Sequence, residues 1–127
     1  MVSMSWFRKS SNKQTLAWKT LTSEAQFLEL VQQEELFAVF KHSTRCSISS
    51  MALNRLESAW DINIPLYYLD LLAERAVSNL IEDHLGIQHQ SPQLIIIHRG
   101  KVVYHASHSA IQMNAIREAV ADLVEAQ

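Results

Sequence analysis

The chain has 127 residues, 48% of them hydrophobic, the size and composition at which one compact domain with a real core is expected. Eleven Lys and Arg against thirteen Asp and Glu give a net charge of −2, which argues against a surface for nucleic acid or another polyanion. No stretch approaches the ~18 apolar residues of a bilayer span, and the start lacks the apolar segment of a signal peptide. A lone cysteine, Cys46, points to a reducing compartment, so the sequence reads as soluble and cytoplasmic with no membrane partner.

Residues 1–13 are polar and slightly basic and read as a flexible segment, with Trp6 and Phe7 covering a core edge; a single domain is expected over 14–127. Thr15 to Trp18 fit a short strand. Ser23 followed by Gln26 forms a capping-box pattern, and Phe27, Leu28 and Val31 supply the face of a helix. The apolar run Leu36-Phe37-Ala38-Val39-Phe40 predicts a strand over 36–41. Ile48, Ala52, Leu56 and Ala59 then recur at helical spacing, predicting a helix to about Trp60.

A second β-rich run covers 64–70, with Pro65 at its start, where a strand tolerates it. Ala73, Val77, Leu80, Ile81 and His84 mark the next helix, which stops at Leu85-Gly86. Gln93 to His98 is a nearly continuous apolar strand, turned at Arg99-Gly100 into the strand Lys101 to His105. Ile111, Ala115, Ile116, Ala119, Val120 and Leu123 close the chain as an amphipathic helix. The order β-α-β-α-β-α-β-β-α, with two right-handed βαβ units and a final hairpin, is that of an α/β thioredoxin-like fold. It implies a mixed central sheet flanked by helices.

That order sets Cys46 at the carboxyl end of a central strand, where open α/β sheets present their sites. A thiol at a helix start meets unpaired backbone N–H groups and the positive end of the helix dipole, which stabilise its thiolate. Lys41, His42 and Arg45 are close enough in sequence to act the same way. Ser49 stands where a Cys-x-x-Cys site has its second sulfur; its hydroxyl is expected to bond to the thiolate or back into the helix. Ser91-Pro92 directly precedes the strand 93–98. A cis bond there would turn the chain so that Ser91 offers its backbone N–H and C=O to a bound peptide. Six histidines lack zinc-site spacing, and no metal site is expected.

The segments Phe40-Lys41-His42-Ser43-Thr44-Arg45-Cys46-Ser47-Ile48-Ser49, His89-Gln90-Ser91-Pro92-Gln93 and Ser107-His108-Ser109-Ala110-Ile111 closely resemble the bacterial monothiol bacilliredoxin family (YtxJ-like), from about residue 18 onward. Arg75, Ser78 and Ile81 resemble its helix between the second and third parallel strands. The resemblance implies a thioredoxin fold with Cys46 as the redox residue. It also implies removal of a small thiol, bacillithiol or an equivalent, from mixed disulfides on S-thiolated proteins. Thr44, Ser91 and Pro92 are then the residues that meet substrate. No bound cofactor is implied; the small thiol is a co-substrate, and the protein would be a monomer or weak dimer. One departure is Ser47, where the family usually has proline.

Two other classes fit a single exposed thiol. A monothiol glutaredoxin-like protein holds an iron–sulfur cluster with one cysteine and a small thiol, though its Cys-Gly-Phe-Ser signature is absent here. A thioredoxin-fold interaction module would leave Cys46 silent.

Overall fold

The computed structural model describes residues 16–33 and 35–125; the expected segment 1–13 and Thr15 lie outside them. Five strands, β1 (Trp18–Thr20), β2 (Leu36–His42), β3 (Leu66–Asp70), β4 (Gln93–His98) and β5 (Lys101–Ser107), form one sheet in the order β1-β3-β2-β4-β5. The β1–β3 and β2–β3 pairs are parallel, and β2–β4 and β4–β5 are antiparallel. Four helices cover it: α1 (Glu24–Gln32), α2 (Ser47–Ala59), α3 (Arg75–Leu85) and α4 (Met113–Glu125). This is the mixed sheet of a thioredoxin fold. Among the described residues, no helix is long and apolar enough to cross a membrane.

The alternation of strand side chains divides the core into two layers. Leu36, Ala38, Phe40, Leu94 and Ile96 pack with Ala52 and Leu56 of α2 and Ile116 and Val120 of α4. Phe37, Val39, Leu69, Ile95 and Ile97 pack on the other face with Phe27 of α1 and Val77 and Ile81 of α3. Strand β2 is buried along all seven residues, so its apolar run serves both layers. Its last two residues are polar, and the fold must find partners for them inside.

Local chemistry fixes the ends. The Ser23 hydroxyl accepts from the Gln26 N–H at 3.1 Å, and Gln26 Oε1 accepts from the Thr22 N–H at 2.9 Å, which starts α1. Gly86, at φ 70°, ends α3 in the left-handed region. Arg99 (φ 54°) and Gly100 (φ 76°) both take positive φ, the form of a two-residue hairpin loop whose twist matches its strands.

Three boundaries differ from the sequence pattern. Strand β1 runs over 18–20, beginning at the last residue of the expected strand, because this edge strand extends only where β3 offers partners, Leu66 to Tyr68. Strand β3 begins at Leu66, after Pro65, whose carbonyl accepts from the Ala38 N–H at 3.0 Å. Helix α3 begins at Arg75: Asp70 Oδ1 first accepts from the Leu72 and Ala73 N–H groups, closing a turn that delays the helix.

Candidate functional site

Strand β2 ends at His42, and Ser43 to Cys46 form a tight turn in which the Cys46 N–H donates to the Ser43 carbonyl at 3.1 Å. Thr44 and Arg45 occupy its exposed centre. Cys46 is the N-cap residue of α2: its backbone is extended, its carbonyl accepts the Ser50 N–H at 3.1 Å, and its half-buried side chain makes no capping bond. The first N–H groups of α2 have no intrahelical partners, and Cys46 is the residue directly before them.

The two polar residues that end β2 point to opposite faces. His42, 4% exposed, turns toward α2 and lies with Nδ1 2.7 Å from the Ser49 hydroxyl. The Ser49 oxygen also accepts the Ser43 N–H at 3.1 Å. Ser49 is thus committed to His42 and to the turn that carries Cys46, rather than to the sulfur itself. The His42 ring stacks on Phe40 at 5.8 Å and tilts against Tyr68 at 5.5 Å. Burial holds its imidazole below the ordinary range, with Asp70 and Glu57 pulling the other way. Trp18 closes this group: it packs on Phe40 and Tyr68, both at 6.0 Å, and its Nε1 donates to Glu57 at 3.0 Å.

Lys41 turns the other way. Expected beside the thiol, it is instead fully buried on the sheet face opposite α2, with Nζ 3.1 Å from His89 Nδ1. Burial lowers its pKa from 10.5 to about 8, although the Glu82 carboxylate favours the ammonium. The reason is the two-residue period of a strand: neighbours cannot share a face.

Register brings in the last expected residues. Lys41 pairs with Gln93, so the next residues outward, His42 and Pro92, meet at the strand end from which the Cys46 turn departs. The Ser91-Pro92 bond is cis. The Ser91 hydroxyl is enclosed and has no partner among the described residues. At the same end, β5 finishes at Ser107, opposite Gln93, and a cleft of about 570 Å³ opens between Gln88, Gln90, Gln93, His105 and His108. Among the described residues, no three His, Cys, Asp or Glu side chains gather as metal ligands would. His89, Glu82, Tyr68 and Glu57 were not apparent from sequence spacing. Only His89 carried a signal, its place two residues before Ser91.

With its one cysteine at a strand–helix junction of this sheet, the molecule falls in the class of single-cysteine thioredoxin-fold proteins. A solved structure described as an oxidoreductase with a thioredoxin fold is similar at 27% identity and TM-score 0.69, over 80% of this chain and 92% of that one. Thioredoxin from Trypanosoma brucei brucei (13% identity, TM-score 0.64, 86% and 92% covered) shares the fold. So does Fasciola hepatica thioredoxin (17%, 0.63, 82% and 97%). The family model for monothiol bacilliredoxin BrxC matches residues 19–116, and the chain belongs to that family.

Proposed function

We propose that this protein removes a small thiol, bacillithiol or an equivalent, from mixed disulfides on S-thiolated proteins. The observation that carries the reading is the lone Cys46 at the N-cap of α2 in a chain of the monothiol bacilliredoxin family, with Ser49 where a second sulfur would stand. The Cys46 thiolate attacks the small-thiol sulfur of the mixed disulfide. That S–S bond breaks, the client leaves as a thiolate and takes a proton from water, and a new disulfide joins Cys46 to the small thiol. A second small-thiol thiolate then attacks the bound small-thiol sulfur, releasing the symmetric disulfide and the Cys46 thiolate. With one cysteine in the chain, the second step needs that outside thiol.

Exposed Ile48 and Met51 on α2, 56% and 61% accessible beside Cys46, suit a polypeptide partner rather than a small thiol alone. The cleft lined by Gln88, Gln90, Gln93 and His105 opens at the same end of the sheet and offers amide and imidazole groups to the hydrophilic part of the small thiol. The cytoplasm, where small thiols keep cysteines reduced, fits the reading.

The test incubates the reduced protein with a client carrying one bacillithiol or glutathione adduct, followed by acid trapping and mass spectrometry. The expected result is an adduct on Cys46 with release of the free client, both lost in Cys46→Ser. Release of the client without an adduct on Cys46 would overturn the proposal.

A further inference from the structure

The segment 86–92 between α3 and β4 has no regular structure, yet it ends on the residues that border the Cys46 turn. Side chains hold it from three directions. From β2, Lys41 Nζ reaches His89 Nδ1 at 3.1 Å across 48 residues of sequence. From α3, Glu82 Oε2 accepts the His89 N–H at 3.0 Å, and Ser78 Oγ lies 3.4 Å from His89 Nδ1. From β4, Gln93 accepts the Gln90 N–H at 3.4 Å and donates to the Gln88 carbonyl at 3.1 Å. Lys41 and His89 each belong to a segment that marks the family, and none of the exchange steps above uses either one.

The Lys41–His89 contact requires a particular protonation state. An ammonium donates to Nδ1 only while that nitrogen keeps its lone pair. With both ring nitrogens protonated, two cations face each other at 3.1 Å. The other charged groups around His89 are on α3: the Glu82 carboxylate, which attracts both cations, and Arg75, which adds to the repulsion. Burial first, then Lys41, hold the His89 imidazole below the ordinary 6.5, against the pull of Glu82.

We propose that Lys41, His89 and Glu82 form a clamp that positions segment 86–92 at the substrate edge of the site, and that protonation of His89 opens it. These are positioning residues: they act on Gln90, Ser91 and Pro92, not on the sulfur. The clamp makes client engagement sensitive to acidification separately from the state of the thiol. Its kinetic consequence, though not the clamp itself, rests on the proposed exchange reaction.

The experiment follows the full-length protein by NMR between pH 7.5 and 5, roughly the range in which an imidazole titrates, with His89→Asn beside it. The Asn carbonyl oxygen stands near the position of Nδ1 and accepts from Lys41 but does not titrate. In the wild type, the Gln90 and Ser91 amides should move with the His89 ring at a midpoint below 6.5. In His89→Asn they should stay still. With an S-thiolated client, the wild-type KM should rise about tenfold across that titration while the variant's KM stays level. Should His89→Asn not fold, Lys41→Met makes the comparison instead: without the facing ammonium, protonation of the ring should no longer move the Gln90 and Ser91 amides. Loop amides that stay fixed while the ring titrates, or that move equally in the variant, would overturn the clamp. If neither protein exchanges disulfides, the exchange reaction is what fails, and the amide titration still decides the clamp.

Discussion

Replacing Lys41 by Met should remove a specific pH dependence of stability. The folded protein holds this fully buried ammonium at a pKa of about 8, against 10.5 for an ordinary lysine. Keeping it charged at pH 7 therefore costs roughly 3 kcal/mol, from about 1.4 kcal/mol per unit. At pH 7 the folded and unfolded chains both bind the proton. As pH rises through 8 the folded chain loses it, while the unfolded chain keeps it to about 10.5, so folding becomes more favourable with rising pH. Integrated from pH 7 to roughly 9.5, the gain is about 2 kcal/mol for the wild type. Met has similar length and no charge, so Lys41→Met lacks this gain, while every other group that titrates there is common to both proteins and cancels. Urea unfolding of both at the two pH values measures the difference. At pH 7 the variant should be at least as stable as the wild type, since a well-packed apolar side chain commonly matches or exceeds a buried ion. Parallel pH profiles for the two proteins would refute the buried, depressed ammonium.

Ser49→Ala should cost about 1–3 kcal/mol in urea unfolding, because it strips partners from both the Ser43 N–H and His42 Nδ1 in a buried setting; a neutral result would show that water replaces the hydroxyl. Ser49→Cys should form an internal disulfide with Cys46, three residues before it across the first turn of α2, and titrate with no free thiol once oxidised. Two free thiols in the oxidised variant would contradict the turn geometry. Gly100→Ala should cost about 1–2 kcal/mol, since its φ of 76° disfavours any Cβ and the added carbon would sit 3.0 Å from the Val31 carbonyl oxygen; an unchanged denaturation midpoint would show that the hairpin turn shifts freely.

Much of the fold was legible because its signals are local. The apolar run before Cys46, the Arg99-Gly100 turn and the helical spacing of Val77 and Ile81 each rest on a few adjacent residues, and each element formed. Boundaries were less legible, because partners set them: β1 takes its length from β3, and Asp70 accepts two N–H groups that postpone α3. At the site, Cys46 could be placed by topology, and Pro92 by its position before β4 in a thioredoxin-like chain. The bond from Trp18 to Glu57 spans 39 residues, and no spacing rule reaches that far. Lys41 shows a different limit. Closeness in sequence to Cys46 suggested a role at the sulfur, yet one residue along a strand reverses the face.

That reversal gives the end of β2 two separate tasks. His42 faces α2 and, through Ser49, steadies the turn that presents the sulfur. Lys41 faces α3 and, through His89, steadies the segment that borders that turn from the neighbouring strand. Both side chains leave adjacent residues of one central strand, so the two halves of the site share a rigid reference. A burial this polar is otherwise unfavourable: an ammonium and an imidazole both sit inside with their charged forms penalised. An apolar pair at 41 and 42 would pack into the same layers at less cost but would remove the side-chain ties from this strand to the Cys46 turn and to segment 86–92. The polar end of β2 is therefore best understood as alignment between the thiol and the edge beside it, obtained at the expense of stability.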